Sequence, residues 1–428
     1  MSSLASFAGK QPGYDAANLP VDIARAVILS AVEQADSPSR HEHECVALTD
    51  ALDRILACDI LSPIDVPAHD NSAMDGYAVR SADLPAGQPT VLREVGVALA
   101  GRPFQGTVAA GECVRIMTGA VMPAGSDTVV IRELVQIDAG NIAIPAGQRA
   151  GTNRRRAGDD LARGSLALPA GARIGAAQWG LIASLGLAHV DVRPPLRVAV
   201  FSTGDELRDA GQGTREGAHF DSNRYSLRGM LAHLGCATTD LGIVPDEAGA
   251  IEDTLRDSAA GHDVIITSGG ISEGEADLTA PMMRRLGEVL HWKLAMRPGR
   301  PFAFGRIASK SQSAWLFGLP GNPVAAMIAF IQFVRPAILS LNGQIDDALP
   351  SFAVPVTTSM RKKPGRTEFA RGRLSTRGTG LQVTPDDNQG SSVLRSMATA
   401  NCLIVLEHAR GDVSGGETVT VQTLVRVV

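Results

Sequence analysis

Aromatic residues make up only 4% of this 428-residue chain, although 44% of it is hydrophobic. Its core must therefore be mostly aliphatic. Cysteine is also sparse. Cys45, Cys58, Cys113, Cys236 and Cys402 form no CxxC and no pairing pattern, so a reduced, cytoplasmic chain is expected rather than a disulfide scaffold. Positive charge is not in surplus: the net charge is −5, which disfavours a dedicated nucleic-acid binder. The most apolar stretch, 324–341, is interrupted by Gln332, Arg335 and Pro336. It falls short of the ~20 apolar residues a membrane span needs and reads as a buried helix. The first twenty residues have no basic region followed by an apolar one, so no signal peptide is expected. Nucleotide and hydrolase motifs are missing too. There is no GxxxxGK[ST], no GxGxxG directly after a strand and no HExxH.

What is present is an organised chain of two to four domains at ~100–200 residues each. The 45 glycines and 24 prolines imply many tight turns. Residues 20–34 place Ile23, Val27, Ile28 and Val32 at helical spacing. A second helix is expected over 48–60, with Thr49 as its N-cap and Leu52, Ile55 and Leu56 on one face. Between them, His41 to Cys45 lacks metal-ligand spacing and reads as a solvated connector. From 62 to 158 short β-rich runs (VLREVGVAL, CVRIMTG, DTVVIREL, NIAIP) alternate with Gly and Pro, a β module. A further helix over 175–185 ends at Gly186. The economical reading is a helical unit made of two segments, with the β module inserted between them. The apolar stripes of so small a unit (Ile23, Val27, Leu52, Leu56) would need a partner surface, which predicts a homodimer.

After Pro194-Pro195 the pattern becomes strand, turn, helix, repeated. That predicts a parallel α/β sheet with helices on both faces. Beyond residue 342 it turns β again, and a small antiparallel barrel or sandwich is expected.

Ligands of open α/β sheets sit at the carboxyl ends of the strands. The turns expected there are STGDE (202–206), VPDE (244–247), TSGGIS (267–272) with GEAD (274–277), RPGRP (297–301) and LPGNP (319–323). Glycine lets backbone N–H groups approach an anion, and helix N-termini favour negative charge. Five such turns on one edge point to a phosphorylated or otherwise anionic small molecule, with Ser268, Gly269, Gly270, Ser272, Arg297, Pro298 and Pro301 among its candidate contacts. Glu206, Asp246 and Asp277 lie on the same edge. They suit a Mg²⁺ ion shared with substrate oxygens, while N-capping accounts for Asp246 and Asp277 equally well. The basic runs 154–156 and 361–363 lack interleaved aromatics and read as solvated faces or anion contacts.

Seven segments occur in an order that resembles one family: DVPAHDNSAMDGYAVR (65–80), RIMTGAVMP (115–123), NRRRAGDDL (153–161), FSTGDEL (201–207), TSGGISEGEADLT (267–279), WKLAMRPGRPFAFG (292–305) and GLPGNPVAA (318–326). The family is that of the molybdopterin molybdenumtransferases, the MoeA type that includes the E domain of gephyrin. The resemblance runs from about residue 20 to the end. It implies an α/β multidomain protein with a split helical dimerisation domain (1–61 and 159–192), an inserted β domain (62–158), a molybdopterin-binding α/β domain (193–343) and a C-terminal β-barrel (344–428). It implies an enzyme that cleaves adenylylated molybdopterin with a divalent cation such as Mg²⁺, releases AMP and places molybdate on the dithiolene. It further implies a homodimer with active sites completed across subunits, no membrane or nucleic-acid partner, and room for transient contact with the molybdopterin adenylyltransferase and with cofactor-receiving enzymes. Carried over by motif, the catalytic set is Asp75, Thr118, Asp160, Glu206, Asp246 and Asp277, and Lys293, Arg371 and Ser391 join the binding set. Arg297 and Arg300 stand where lysine is frequent, which keeps the charge but makes it a planar fork. An adenylyltransferase would need only the α/β part, and a scaffold would show a long linker or docking segment; neither alternative accounts for residues 65–80.

Overall fold

The structure is a computed structural model and describes residues 4–35, 42–213, 215–271, 279–310, 312–345, 348–378 and 380–424. The strand–helix repeat after Pro195 builds a six-stranded sheet in the order 237–244, 197–203, 264–268, 313–319, 301–308, 287–293. The first four strands are parallel. The last two are antiparallel additions, so the all-parallel expectation is corrected to a mixed sheet. A consequence matters for the site. Strand 301–308 runs backwards, so its start at Pro301 lies on the same edge as the carboxyl ends of the parallel strands.

Period-two alternation fills both faces. Val198, Val200, Val264, Ile266, Phe302, Phe304 and Phe317 enter one apolar cluster, whereas Phe201, Ile265, Ala303 and Leu316 enter the other. Helices Asn223–His233 and Pro323–Leu341 cover the first face, and Ala248–Gly261 and Thr279–Leu286 cover the second.

Helix Val21–Gln34 overturns one assignment. It was expected in the split helical unit. Instead Val21, Ala24, Val27, Ile28 and Val32 are buried in the first cluster of the α/β sheet. A proline explains the docking. Pro336 has no N–H to give the carbonyl of Gln332, four residues earlier. That carbonyl accepts from Arg25 Nε at 3.1 Å, and Gln332 Oε1 accepts from Arg25 Nη2 at 2.6 Å. The backbone passes this point as a π-turn over Phe330–Val334. The whole of Pro323–Leu341 is long and apolar enough to cross a membrane, but 89% of it is buried inside the structure, as the buried-helix reading expected.

The expected helix over 48–60 does not form. Leu48–Asp50 is a single 3₁₀ turn, Asp53 takes φ 65°, and Ile60–Leu61 pairs with Leu166–Leu168. Ala51, Leu56 and Ile60 are buried against Ile174, Ile182 and Val190, but Leu52 is 43% exposed. Pairing with the 161–192 segment outweighed local helical spacing. Because Val27 and Leu56 are covered by their own chain, the stripe argument for a dimer falls. The exposed apolar pair of this unit is Leu61 and Leu166, which face each other across the two strands. The connector after His41, itself outside the described residues, leads into strand Glu44–Ala47 against His189–Val192. Helix Ala176–Ser184 forms, and Gly186 stops it at φ 75°.

The β module is a six-stranded sheet in the order 128–131, 76–79, 112–116, 90–98, 141–144, 136–138. The C-terminal region is a second β unit, in the order 296–297, 367–377, 402–406, 418–423, 351–355. Strand 380–385 pairs with 367–377 and meets the far end through a bridge between Val356 and Val383. Lys362, read as part of a solvated run, is buried there instead, its Nζ donating to Arg410 O at 2.7 Å.

Candidate functional site

All five turns come together where the sheet topology sends them. A cavity of about 880 Å³ opens at the carboxyl edge. It is walled by 202–204 with Glu206, by 268–271, by 299–301 and by 320–323, with Asp246 at its side and Ser392 reaching in from the C-terminal unit. The turn after strand 264–268 needs glycine. Gly269 has φ +92°, and a Cβ there would lie 2.6 Å from Thr203 O. The chain can therefore fold back directly onto the neighbouring strand end. Ser268 is fixed beneath it, accepting from Asn223 Nδ2 at 2.7 Å; the same amide also donates to Gly321 O at 2.7 Å.

Three buried polar atoms in this wall, Ser202 Oγ, Thr203 Oγ1 and Asn223 Oδ1, have no hydrogen-bond partner among the described residues. Buried polar groups are nearly always paired, so the wall is chemically incomplete without a polar ligand. Two acids line the same cavity, Glu206 and Asp246. The Glu206 carboxylate folds over Gly204, both oxygens 2.8 Å from where a Cβ would be. Asp246 follows strand 237–244, its N–H 3.5 Å from Asp205 Oδ1. Asp277 and Ser272 lie outside the described residues. Among the described residues no group of three His, Cys, Asp or Glu is arranged to hold a metal. Glu206 and Asp246 are a two-carboxylate set that could take only a hard cation also ligated by a bound substrate.

A second, smaller cavity of about 340 Å³ lies between the α/β and C-terminal units, lined by Arg297, Pro298, residues 358–361, 368–371 and 385–389. Arg371 is 1% exposed. Its Nε donates to Ser396 Oγ, and its Nη2 donates to the carbonyls of Asn388 and Gly390, all at 3.0 Å. Burial lowers its pKa to about 10, which leaves it charged at neutral pH. The loop it holds carries Ser391, whose carbonyl accepts from Val324 N at the start of the core helix. Arg297 is exposed, with Glu368 3.9 Å away. Lys293 lines neither cavity; its backbone pairs with Ala16 and Leu19.

Asp75, Thr118 and Asp160 also stay outside both cavities. Asp75 and Thr118 meet on the surface of the β module, where Asp75 Oδ1 accepts from Thr118 N and Oγ1, both at 2.7 Å. These bonds to the ionised form hold the Asp75 pKa below the usual carboxylate range. Asp160 is exposed beyond strand 154–155. Sequence reasoning put Ser202 and Thr203 in a ligand-edge turn without singling them out, and missed Asn223. The available signal was Asp221-Ser222-Asn223, a polar triplet opening a helix on the ligand edge.

Comparison with known proteins supplies the rest. A profile of the MoeA N-terminal region (domains I and II) matches residues 19–186. One of a probable molybdopterin-binding domain matches 199–340, and one of the MoeA C-terminal region (domain IV) matches 353–424. Molybdopterin molybdenumtransferase from Haemophilus influenzae is 41% identical over 407 residues, covering 94% of this chain and 98% of that protein. The chain belongs to the molybdopterin molybdenumtransferase family. A Nostoc family member is 34% identical over 93% of the chain and 92% of its own length. The molybdopterin biosynthesis MoeA protein of Pyrococcus horikoshii superposes with TM-score 0.75 at 30% identity, covering 95% of this chain and 99% of that one.

Proposed function

We propose that this chain is the molybdenum insertase of molybdenum cofactor biosynthesis, taking adenylylated molybdopterin in the large cavity and molybdate beside it. As a family member it is a transferase handling molybdopterin and molybdenum. The observation that carries the more detailed reading is that Ser202, Thr203 and Asn223, each with a buried unpaired polar atom, line one cavity together with Glu206 and Asp246.

The backbone at 268–270 and the start of helix 323–341 favour the anionic phosphates. Asn223 both locks Ser268 and offers Oδ1 to the substrate. A divalent cation such as Mg²⁺ would be held by Glu206 and Asp246, with Asp277 as a third acid, and would neutralise charge on the phosphate oxygens. Attack of water on one phosphorus forms a P–O bond as the anhydride P–O bond breaks. AMP and molybdopterin, which keeps its own terminal phosphate, result. Arg297, Arg371 and Ser391, with Ser272, are the molybdate contacts in this reading, and Pro298 is a pterin contact; Lys293, a molybdate candidate by motif, lines neither cavity. Arg371 acts there by charge and by holding the 388–391 loop. The exposed, hydrogen-bonded Asp75–Thr118 pair and Asp160 act on the site of a partner subunit in a homodimer. The C-terminal β unit is the family's barrel, and the enzyme works in the cytoplasm.

Single-turnover AMP release, followed across a magnesium titration, tests the cation site. Glu206→Gln and Asp277→Asn should still bind adenylylated molybdopterin yet release AMP ~10²–10³ more slowly, the usual cost of losing a preorganised electrostatic element. Asp246→Asn should be milder, because Asn keeps one oxygen; the N-cap of the helix that follows is Glu247, not Asp246 as the sequence suggested. Wild-type rates with an unchanged magnesium requirement in the first two variants would overturn the assignment.

A further inference from the structure

Behind the cavity wall lies a buried ion network. Arg224, in the first turn of helix Asn223–His233, has a side chain only 4% exposed, yet it meets three carboxylates on three different elements. Asp221, itself 1% exposed, accepts from Arg224 Nε at 3.0 Å. Asp240, in strand 237–244, accepts from Nη1 at 2.6 Å. Asp209 lies 2.9 Å from Nη2 and also accepts from Tyr225 OH at 2.8 Å. Arg228 closes the cluster on the other oxygen of Asp240 at 2.6 Å. Burial works against the charge on Arg224, but the three acids outweigh it and raise its pKa above the ordinary guanidinium range.

The elements joined here are those that carry the cavity acids. Asp209 sits three residues after Glu206, on the arm that leaves strand 197–203. Asp240 sits six residues before Asp246, on the strand that delivers it. The arm's other ties are polar contacts near the surface: Arg215 Nη2 donates to Asp205 O at 3.0 Å, and Asp246 N lies 3.5 Å from Asp205 Oδ1. The pairing of the arm with the return segment is two residues long, Leu207–Arg208 against His219–Phe220, extended by Glu206 O accepting from His219 N at 2.9 Å and Arg208 O accepting from Asp221 N at 2.8 Å. Phe220 on that return is 49% exposed while lining the cavity, so little apolar packing secures it.

We infer that Arg224 is a positioning residue that pins the Glu206 arm and the Asp246 strand to one helix, and so sets the separation of the two cavity carboxylates. This rests on the reading above that those carboxylates hold the cation. A guanidinium suits the task because its planar fork hydrogen-bonds Asp221 and Asp240 in fixed directions while the charge at Nη2 faces Asp209 at 2.9 Å; one ammonium cannot face three acids on three elements in that way.

The test uses the full chain with Arg224→Lys, Asp209→Asn and a packing control, Leu255→Ala, which removes buried volume on the other face of the sheet. Backbone hydrogen exchange should speed up about tenfold at 205–209 and 219–221 in the first two variants and stay unchanged in helix Ala248–Gly261. The magnesium concentration for half-maximal AMP release should rise by about the same factor in both. Leu255→Ala should lower the melting temperature and move neither quantity. A loosened arm with an unaltered magnesium requirement would reduce Arg224 to a structural role. Unaltered exchange would show that Arg224 does not hold the arm. If Glu206→Gln itself leaves the magnesium requirement unchanged, the cation assignment fails instead, and the exchange data alone decide whether Arg224 pins the arm.

Discussion

The α/β unit and the inserted β module each present acids to solvent, but they build them differently. In the α/β unit, Glu206 and Asp246 are ordinary side chains on turns, and topology makes them a site. Parallel strands deliver their turns to one edge, and the backbone there walls a cavity of about 880 Å³. In the β module Asp75 lines neither of the two cavities described above. It is a surface carboxylate, oriented by two hydrogen bonds from Thr118.

The sharpest way to break this contrast is a mixed dimer. Chains carrying Glu206→Gln and chains carrying Asp75→Asn should each be deeply impaired alone. If Asp75 serves the partner's cavity, refolded mixtures should regain roughly a quarter of wild-type AMP release, since half of the dimers are mixed and each of those holds one intact composite site. No recovery would place both acids in the service of a single chain.

A smaller effect is expected from Gly269→Ala. Its φ of +92° and the 2.6 Å approach to Thr203 O leave no room for a methyl group. The variant should lose ~1–3 kcal/mol of stability in denaturant unfolding, with substrate affinity falling as the turn is displaced. A neutral outcome would show that the turn can relax without cost and that topology constrains it less than the geometry implies.

The smallest effect concerns Thr118→Ala. Asp75 is held below its unfolded pKa by Thr118, through the backbone N–H first and the hydroxyl second. A depressed folded pKa contributes stability that is present above the unfolded value and is lost as pH falls through the folded one. Losing the hydroxyl should move the Asp75 titration, followed by carboxyl-carbon NMR, part of the way up toward the unfolded value and shrink that acid-side contribution. An unmoved titration would mean that the backbone bond alone orients Asp75.

Legibility followed the range of the interactions. Strands 197–203, 237–244, 264–268 and 313–319 and the turns behind them were readable, because period-two apolar runs and Gly–Pro punctuation are local signals. The 48–60 segment misled because its helical spacing lost to pairing with residues more than 100 positions away. The N-terminal helix was found but assigned to the wrong partner, since a stripe reveals that a face is buried and not against what. Asn223 and Arg224 stood in plain view in DSNR, but their roles depend on Ser268, Gly321 and Asp240, which only folding brings near.

By itself, then, the chain's order of residues determined the family, the succession of β and α/β units, the edge on which a ligand would sit and most of the turns that line it, all of which depend on local pattern and motif. Only the tertiary structure decided that two antiparallel strands carry the RPGRP turn to that edge. It alone decided that Arg371 spends its buried guanidinium on a loop, that Ser202, Thr203 and Asn223 face the cavity unpaired, and that one arginine joins three acids behind it. Those outcomes depend on which distant groups are desolvated together, and the free energy of a buried polar or charged group is set by the partners the fold supplies.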